Sequence, residues 1–157
     1  MADAMGVKGG QQQPALSELV SDGDPDAIYT DMVKCGEGAS GTVFEARDSR
    51  DGRVVAIKQM ELAMQPNEAV LHNEMKIMKR GAEHENVVTF YDAFLKEGNL
   101  WVVMELVDGG ALTEVLEYCD PLNEDHIALL LRDTLAALQY LHAADIVHRD
   151  IKSDNIL

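Results

Sequence analysis

The sequence is poor in cysteine and in basic residues. Its two cysteines, Cys35 and Cys119, form no disulfide framework and match no zinc-ligand spacing. Only 13 lysines and arginines stand against 28 aspartates and glutamates, which gives a formal net charge of −15. Such a charge repels the phosphates of nucleic acids and of anionic membranes. The composition therefore predicts neither a nucleic-acid partner nor a membrane partner.

Long apolar runs are also missing. None approaches the ~20 residues that a membrane span needs. The stretch Met1–Gly10 has neither a basic start nor an apolar core, so it does not read as a signal peptide. Glycine stands at position 6 rather than position 2, so the myristoylation pattern fails. Together with the few cysteines, these absences favour a reducing compartment, and we expect a cytoplasmic protein.

What is present is typical of a globular domain, with 46% hydrophobic and 26% charged residues. Residues 1–27 are expected to form a flexible N-terminal flank, of which residues 1–15 are a glycine- and glutamine-rich lead-in. Within it, Leu16, Leu19 and Val20 are spaced for one helical turn that docks on the domain. The domain itself is predicted over residues 28–157.

The order of patterns after residue 30 predicts an α+β fold. Short β-branched runs alternate with polar turns and predict strands at Met32–Cys35, Thr42–Arg47, Arg53–Met60, Val87–Phe94 and Leu100–Leu106. Helical periods predict a main helix over 67–80, a short one at Leu112–Tyr118, and a long one over 124–143. This order indicates an antiparallel five-stranded sheet with one main helix, followed by the first helices of a helical layer.

Asn123 is suited to cap the long helix, because Glu124 and Asp125 then occupy its first turn. The apolar residues of that helix recur at helical spacing. They predict a stripe that is largely buried, formed by Ile127, Leu131, Thr134, Leu138 and Leu141.

A glycine-rich stretch follows the first predicted strand. It reads Gly36, Glu37, Gly38, Ala39, Ser40, Gly41, Thr42, Val43. The G-x-G-x-x-G pattern alone is also shared with dinucleotide-binding folds, where the glycines open a helix. Here Thr42 and Val43 continue as a strand, so we predict a hairpin that folds over phosphates. An ordinary glycine-rich β-turn is the alternative for the stretch in isolation.

The predicted positions of Lys58 and Glu74 would each bury a charge, which costs free energy unless the charge is paired. Lys58 shares a strand face with Val54 and Ala56. Glu74 lies in the middle of the apolar helical face formed by Val70, Leu71, Ile77 and Met78. We therefore expect the two to pair, holding the lysine against nucleotide phosphates. The alternatives are a lysine that reaches solvent at the strand end and a glutamate that rotates to the helix flank.

The stretch His148–Asn155 carries the spacing of a phosphoryl-transfer loop. Asp150 would accept a hydrogen bond from the attacking hydroxyl, and Lys152 would face the moving phosphate. Asn155 follows the acid at the offset of a metal-holding carboxamide, suited to Mg²⁺. His148 is interpreted as a core residue that buttresses the loop. Arg149 is a cation available for a phosphorylated residue.

From about residue 30 to the last residue, the chain resembles a eukaryotic protein kinase. The closer resemblance is to the sterile-type group and its PAK-like branch of serine/threonine kinases. The segments that carry the resemblance are Tyr29-Thr30, Gly36–Val43, Val55–Met60, Leu100–Glu105, Gly109–Thr113 and His148–Leu157. In addition, Ser17–Thr30 is similar to the segment that precedes the kinase domain in that group. The resemblance implies an N-lobe over about 30–107 and a partial C-lobe over 108–157.

The resemblance implies ATP and Mg²⁺ as cofactors and protein serine or threonine hydroxyls as substrates. Lys58, Glu74, Asp150 and Lys152 would be catalytic residues, and Asn155 would bind the metal. Met104 would stand behind the adenine, and Glu105 to Val107 would form the hinge. The remaining ATP-binding residues would be Gly36, Glu37, Gly38, Ala39, Ser40, Gly41, Val43 and Ala56, with Lys58 again among them. The resemblance also implies an upstream activator.

The chain also departs from the family pattern. Cys35 stands where a branched aliphatic residue is usual above the adenine. No Asp-Phe-Gly and no Ala-Pro-Glu occur in the sequence, so we expect a kinase fragment that is inactive alone. The segment that would bind a small GTPase is also not found, so such a partner is not predicted. The alternatives are a pseudokinase-like or scaffold fragment without catalysis and, far less favoured, a nucleotide-binding oxidoreductase.

Overall fold

The computed structural model describes residues 16–38, 41–65, 68–81, 83–118 and 121–157. Its largest element is a five-stranded antiparallel sheet. The strands are β1 (Tyr29–Gly38), β2 (Gly41–Asp48), β3 (Val54–Glu61), β4 (Phe90–Lys96) and β5 (Asn99–Glu105), in the order β1-β2-β3-β5-β4. The helices are α1 (Pro25–Ile28), α2 (Glu68–Gly81), α3 (Leu112–Tyr118) and α4 (Glu124–Ala143). The predicted α+β fold with five antiparallel strands is confirmed.

The two faces of the sheet carry separate apolar clusters, because successive side chains of a strand point to opposite sides. The helix-side core consists of Leu16, Met60, Leu71, Met75, Ala93, Leu100 and Val102. The outer core consists of Tyr29, Ala46, Val55, Ile57, Phe94, Trp101 and Val103. The register places Met60 opposite Leu100 and Ile57 opposite Val103, so each row of partners belongs to one cluster.

Helix α2 covers one face of the sheet with a different stripe from the expected one. Leu71 and Met75 belong to the helix-side core and His72 is buried, whereas Glu74 is exposed. The side chains of residues 68–70 lie outside the description. Leu71 and Met75 are four residues apart and define the centre of the buried face, which leaves Glu74 on its flank. Glu74 is therefore not in the middle of the apolar face, and that expectation is wrong.

The segment before the sheet packs on the domain. A 3-10 helix at Leu16–Glu18 buries Leu16, and Leu19 and Val20 pack against the helix-side core, which confirms the docking turn. The Lys79 ammonium donates to the Leu19 carbonyl at 2.5 Å. Residues 16–20 therefore pack on the domain, while the flexibility expected of residues 1–27 stays a prediction. Residues 1–15 lie outside the described residues, and the domain boundaries stay predictions.

Helix α4 begins and ends where the sequence indicated. The Asn123 side chain accepts a hydrogen bond from the His126 amide at 2.9 Å, so the predicted N-cap is confirmed. At its other end Leu141 is buried beside Gly81, and Arg80 donates to the Ala144 carbonyl at 2.9 Å.

The remaining apolar stripe of α4 is not buried, contrary to expectation. Ile127 is 45% exposed and Leu131 is 56% exposed, while Thr134 and Leu138 are half-buried. Helical periodicity shows which side chains share a face, but burial also needs a partner surface, and the described residues supply one only along the second half of the helix, from Asp133 to Leu141. None of the helices in the described ranges has the length and apolar composition needed to cross a membrane.

Candidate active site

The glycine-rich stretch forms a hairpin between β1 and β2, as predicted. Gly38 pairs with Gly41 and Gly36 pairs with Val43, so the chain continues as a strand and not as a helix. Gly41 has φ of +141°, and a Cβ there would lie 2.1 Å from the Gln59 carbonyl oxygen. Both facts require glycine at this position. Ala39 and Ser40, at the tip, lie outside the described residues.

Several residues predicted to hold ATP share one face of the sheet beside this hairpin. Val43 is opposite Lys58, and Ala56 is opposite Met104. Because Ala56 and Lys58 are two residues apart on β3, all four side chains lie on the same side, the side that α2 covers. Cys35, on β1, is exposed and its thiol lies 3.5 Å from the Val43 carbonyl oxygen. The structure therefore brings these predicted residues together in one surface.

Lys58 does not pair with Glu74. Lys58 is half-buried on β3, and within the described ranges no ion pair involves it, whereas Glu74 faces solvent. The expected pairing is therefore wrong for this structure, because the buried face of α2 is centred on Leu71 and Met75. A half-buried ammonium in an apolar surface is stabilised either by an anion or by reaching solvent.

The end of β5 carries the residues that were predicted to form the hinge, and that role stays a prediction. Both the Thr89 amide, at 3.1 Å, and the Thr89 hydroxyl, at 2.9 Å, donate to the Glu105 carboxylate. The Glu105 amide in turn donates to the Thr89 carbonyl at 2.9 Å. These bonds direct the side chain of Glu105 toward the segment before β4. Strand pairing ends at Glu105, so Leu106 and Val107 leave the sheet.

Two of the predicted loop residues, Asn155 and Lys152, converge on the Asp150 carboxylate. The side-chain nitrogen Nδ2 of Asn155 donates to the main-chain carbonyl of Asp150 at 2.8 Å and to Asp150 Oδ2 at 2.9 Å. The Lys152 ammonium lies 3.4 Å from the same Oδ2. The hydrogen bonds from Asn155 and Lys152 lower the pKa of Asp150 below its ordinary value. The loop therefore holds an ionised, exposed acid beside a lysine and a carboxamide.

The backbone around Asp150 is shaped by its two predecessors. Arg149 has φ of +67°, in the left-handed region that non-glycine residues rarely adopt. The Asp150 amide donates to His148 Nδ1 at 3.3 Å. His148 therefore supports the loop as predicted, but it is exposed and is not a core residue.

Helix α3 holds the far end of this loop through Thr113, whose sequence pattern indicates no role. The Thr113 hydroxyl lies 2.7 Å from the Ser153 hydroxyl and 2.7 Å from Asp154 Oδ1. The Leu112 amide donates to the Ile156 carbonyl at 2.8 Å. Thr113 belongs to the segment Gly109–Thr113, which carries part of the family resemblance. Nothing in its local sequence indicates a contact with Ser153, which is 40 residues away.

The donors present fit a hard cation only in part. Within the ranges that the structure describes, no group of three or more histidine, cysteine, aspartate or glutamate side chains is arranged to hold a metal ion. Asn155 fits the predicted role, because its amide nitrogen is bonded to Asp150 and its oxygen takes no part in those bonds. Asn155 would thus be one oxygen ligand, with the others supplied by water and phosphate.

The chain belongs to the protein kinase family. The family model described as "Protein kinase domain" matches residues 29–157. This range includes the glycine hairpin, β3 with Lys58, and the loop around Asp150.

Its curated relatives place it in the sterile-type group, as the resemblance indicated. It is 48% identical over 145 residues to "Serine/threonine-protein kinase STE20" of Eremothecium gossypii, covering 92% of this chain and 15% of that protein. It is 47% identical over 150 residues to the Kluyveromyces lactis protein of the same name, covering 96% and 15%. The Saccharomyces cerevisiae protein of that name is 47% identical over 142 residues, covering 90% and 15%. The chain thus spans 15% of the length of these relatives.

Proposed function

We propose that this chain carries the nucleotide-holding lobe and the catalytic loop of an ATP- and Mg²⁺-dependent serine/threonine protein kinase. The observation that carries the proposal is the Asp150 carboxylate, held ionised by Asn155 and Lys152. The glycine hairpin and the half-buried Lys58 support the nucleotide part of the proposal. Bound Mg·ATP would supply the phosphoryl group that is transferred.

The proposed roles follow from the charges and the hydrogen bonds. Asp150 would orient the substrate hydroxyl and accept its proton, and Lys152 would face the charge on the transferring group. Lys58 would hold the α- and β-phosphates, and Asn155 would hold the metal through its oxygen. Val43, Ala56 and Met104 would form the apolar surface against adenine, and the main chain of Glu105 to Val107 would bond its edge.

The proposed substrates are protein serine and threonine hydroxyls, in agreement with the printed names of the relatives. An upstream activator would act through Arg149, whose guanidinium would bind a phosphorylated residue. A cytoplasmic location remains part of the proposal and rests on the scarcity of cysteine.

We propose that the 157-residue chain by itself binds ATP but transfers its phosphate very slowly. Asp150, Lys152 and Asn155 are all exposed, and Asn155 is a single metal-ligand candidate. An exposed, hydrated site gives weak electrostatic stabilisation of a transition state. Robust phosphorylation of a serine-containing peptide by this chain would overturn that part of the proposal.

A thermal shift with Mg·ATP tests nucleotide binding. At about ten times the Kd, binding stabilises the fold by about 1.4 kcal/mol, or about 4 °C in Tm at this size. We expect Lys58→Met to remove most of the shift, because it deletes the cation facing the phosphates. Lys76→Met, at an exposed position on α2, is the matched control and should keep the shift.

The same experiment separates the enzyme from the scaffold alternative. A pseudokinase-like or scaffold fragment has no use for Lys58 as a phosphate ligand. No shift in either the unmodified chain or the Lys58→Met variant would therefore favour the scaffold. A shift that requires Mg²⁺ and Lys58 would favour the kinase.

A further inference from the structure

Ser21 lies where the N-terminal flank meets the sheet edge. Its main-chain amide donates to the Ala93 carbonyl at 2.8 Å, and its hydroxyl donates to Asp92 Oδ1 at 2.5 Å. Both partners belong to β4. Ser21 is nevertheless exposed, so its hydroxyl is open to a modifying enzyme.

The flank around Ser21 covers apolar surface. Upstream, Leu16 is only 2% exposed and belongs to the helix-side core with Leu71 and Met75 of α2. Downstream, the ammonium of Lys96 on β4 pairs with Asp24 at 2.6 Å and with Asp26. Ser21 thus lies between the apolar and the ionic attachment of residues 16–28, which we call the flank strap.

Two cations near Ser21, Lys96 and Arg50, are already engaged in ion pairs, and a third, Lys79, donates to the Leu19 carbonyl. Lys96 is held by Asp24 and Asp26. The Arg50 guanidinium donates to Asp48 at 2.7 Å and to the Tyr29 hydroxyl at 2.9 Å, while its Nη1 lies 3.9 Å from Asp92. A new anion at position 21 would therefore face the Asp92 carboxylate, and Lys96, Arg50 or Lys79 could turn to it only by giving up contacts that they already make.

We propose that Ser21 is a phosphorylation site for an acid-directed protein kinase acting on this chain, and that the phosphate detaches the flank strap. In the transfer, the Ser21 Oγ forms a bond to the γ-phosphorus of ATP as the bond to the β,γ-bridging oxygen breaks. ADP leaves with that electron pair, and the hydroxyl proton goes to the modifying enzyme's base. Asp22, Asp24 and Asp26 follow Ser21 and suit a kinase whose peptide groove is basic.

Detachment follows from the change in hydrogen bonding and charge. Asp92 now accepts a hydrogen bond from the Ser21 hydroxyl. The oxygens of a phosphate dianion have no proton to donate, so this hydrogen bond is lost. Phosphoserine adds a charge of about −1.5 to −2 beside a carboxylate, so attraction becomes repulsion. The strap would then leave β4, and the surface that Leu16 covers on Leu71 and Met75 would become exposed. This consequence does not depend on the proposed kinase activity of the chain.

The test of detachment uses the 157-residue chain with phosphoserine encoded at position 21. We expect amide hydrogen exchange in residues 16–28 to accelerate at least about tenfold, while the amides of β5 keep their protection. Phosphoserine at position 17, which is exposed on the same strap, is the matched control and should leave exchange unchanged. Unchanged or slower exchange after modification of Ser21 would overturn the proposal, slower exchange indicating capture of the phosphate by Arg50 or Lys79.

Asp92→Asn separates repulsion from simple crowding by the phosphate. The amide keeps the size of the side chain and removes its charge, so the modified Asp92→Asn chain should regain most of the protection in residues 16–28. If modification at Ser21 accelerates exchange equally in both backgrounds, the proposed electrostatic cause is wrong. Protection lost in β5 of the same samples would show global unfolding and would count against selective detachment.

The site itself is tested with an acid-directed kinase, ATP and mass spectrometry of the full chain. We expect Ser21 to be the main modified residue and Asp22→Asn to slow its modification severalfold, since Asp22 is exposed and follows the serine directly. Modification only at other residues would overturn the assignment. An Asp22→Asn chain modified at the unchanged rate would overturn the acid-directed specificity.

Discussion

Gly41 is a residue at which both backbone conformation and space exclude a side chain. Its φ is +141°, and an added Cβ would lie 2.1 Å from the backbone oxygen of Gln59. We expect Gly41→Ala to lower the free energy of unfolding by about 3 kcal/mol, the upper end of the cost of a strained backbone, because β2 must move away from β3. Urea unfolding followed by circular dichroism measures this.

Gly38, the residue that pairs with Gly41, is the matched control. A Cβ at Gly38 would meet nothing within 4 Å. We therefore expect Gly38→Ala to change the free energy of unfolding by less than about 1 kcal/mol. Equal effects of the two substitutions would show that the close approach of Gln59 does not determine the hairpin.

Asp150 provides a test at the level of a single charge. Its pKa is lowered first by the hydrogen bond from Asn155 and then by Lys152, so Asn155→Ala should raise that pKa toward the ordinary value. A carboxylate with a depressed pKa contributes stability above its unfolded pKa and loses it as the pH falls through the folded value. The stabilising effect of Asn155 should thus fade in acid.

Carbon NMR titration of the Asp150 carboxyl measures the shift, and Asn73→Ala, an exposed substitution on α2, is the control. An Asp150 titration that is the same with and without Asn155 would contradict the assigned cause.

For single residues, the sequence predicted which side chains carry functional groups better than it predicted which side chains they contact. Asp150, Lys152 and Asn155 are close in the chain, so their spacing alone indicated that they meet. The partners of Glu74 and Thr113 depend on how helices rotate and dock. A rotation of α2 about its axis by about one residue, roughly 100°, decides whether Glu74 or its neighbour Met75 faces the sheet, and here Leu71 and Met75 face it. Local periodicity does not determine that rotation to within one residue.

At the scale of elements, the exposed stripe of α4 should drive self-association. Leu131 is 56% exposed and Leu135 is 61% exposed, and a contiguous apolar surface of this kind associates in water. Replacing both with glutamine keeps the charge and the helix propensity, so we expect less association with a change in unfolding free energy of about 0.5 kcal/mol or less. Sedimentation velocity across a concentration series measures this.

Leu141, on the same helix, is the contrasting position because it is 6% exposed. Leu141→Gln should destabilise the fold by about 2–4 kcal/mol and should not reduce association. If the exposed pair were instead costly to replace and Leu141 were not, the assignment of the two faces of α4 would be reversed.

The elements whose ends carry local signals were predicted closely. Asn123 caps α4 through the His126 amide, and α3 and α4 have the predicted bounds. Strand β1 was predicted only from Met32 to Cys35 but runs from Tyr29 to Gly38. Its ends are determined by pairing with β2, including register shifts near Thr30 and Lys34, and such pairing is not visible in one strand alone.

For the whole molecule, fold class and family could be predicted because independent patterns agreed in order. Strand periods, the glycine stretch, Lys58 and the Asp150 loop all indicated one architecture. The docking of residues 16–28 could be predicted only for the Leu16 turn. The bond from Ser21 to Asp92 joins residues 71 positions apart, and no local rule anticipates it.

The strand order has a consequence for how the chain folds. Strands β1, β2 and β3 are consecutive neighbours, and so are β4 and β5, so each set pairs across a short connection. The pairing of β3 with β5 instead joins Ile57 to Val103 across the whole of α2. Closing that long loop costs more chain entropy than forming either hairpin set. The β3–β5 seam should therefore form late, and the surface that receives the nucleotide in the proposal would be completed with it.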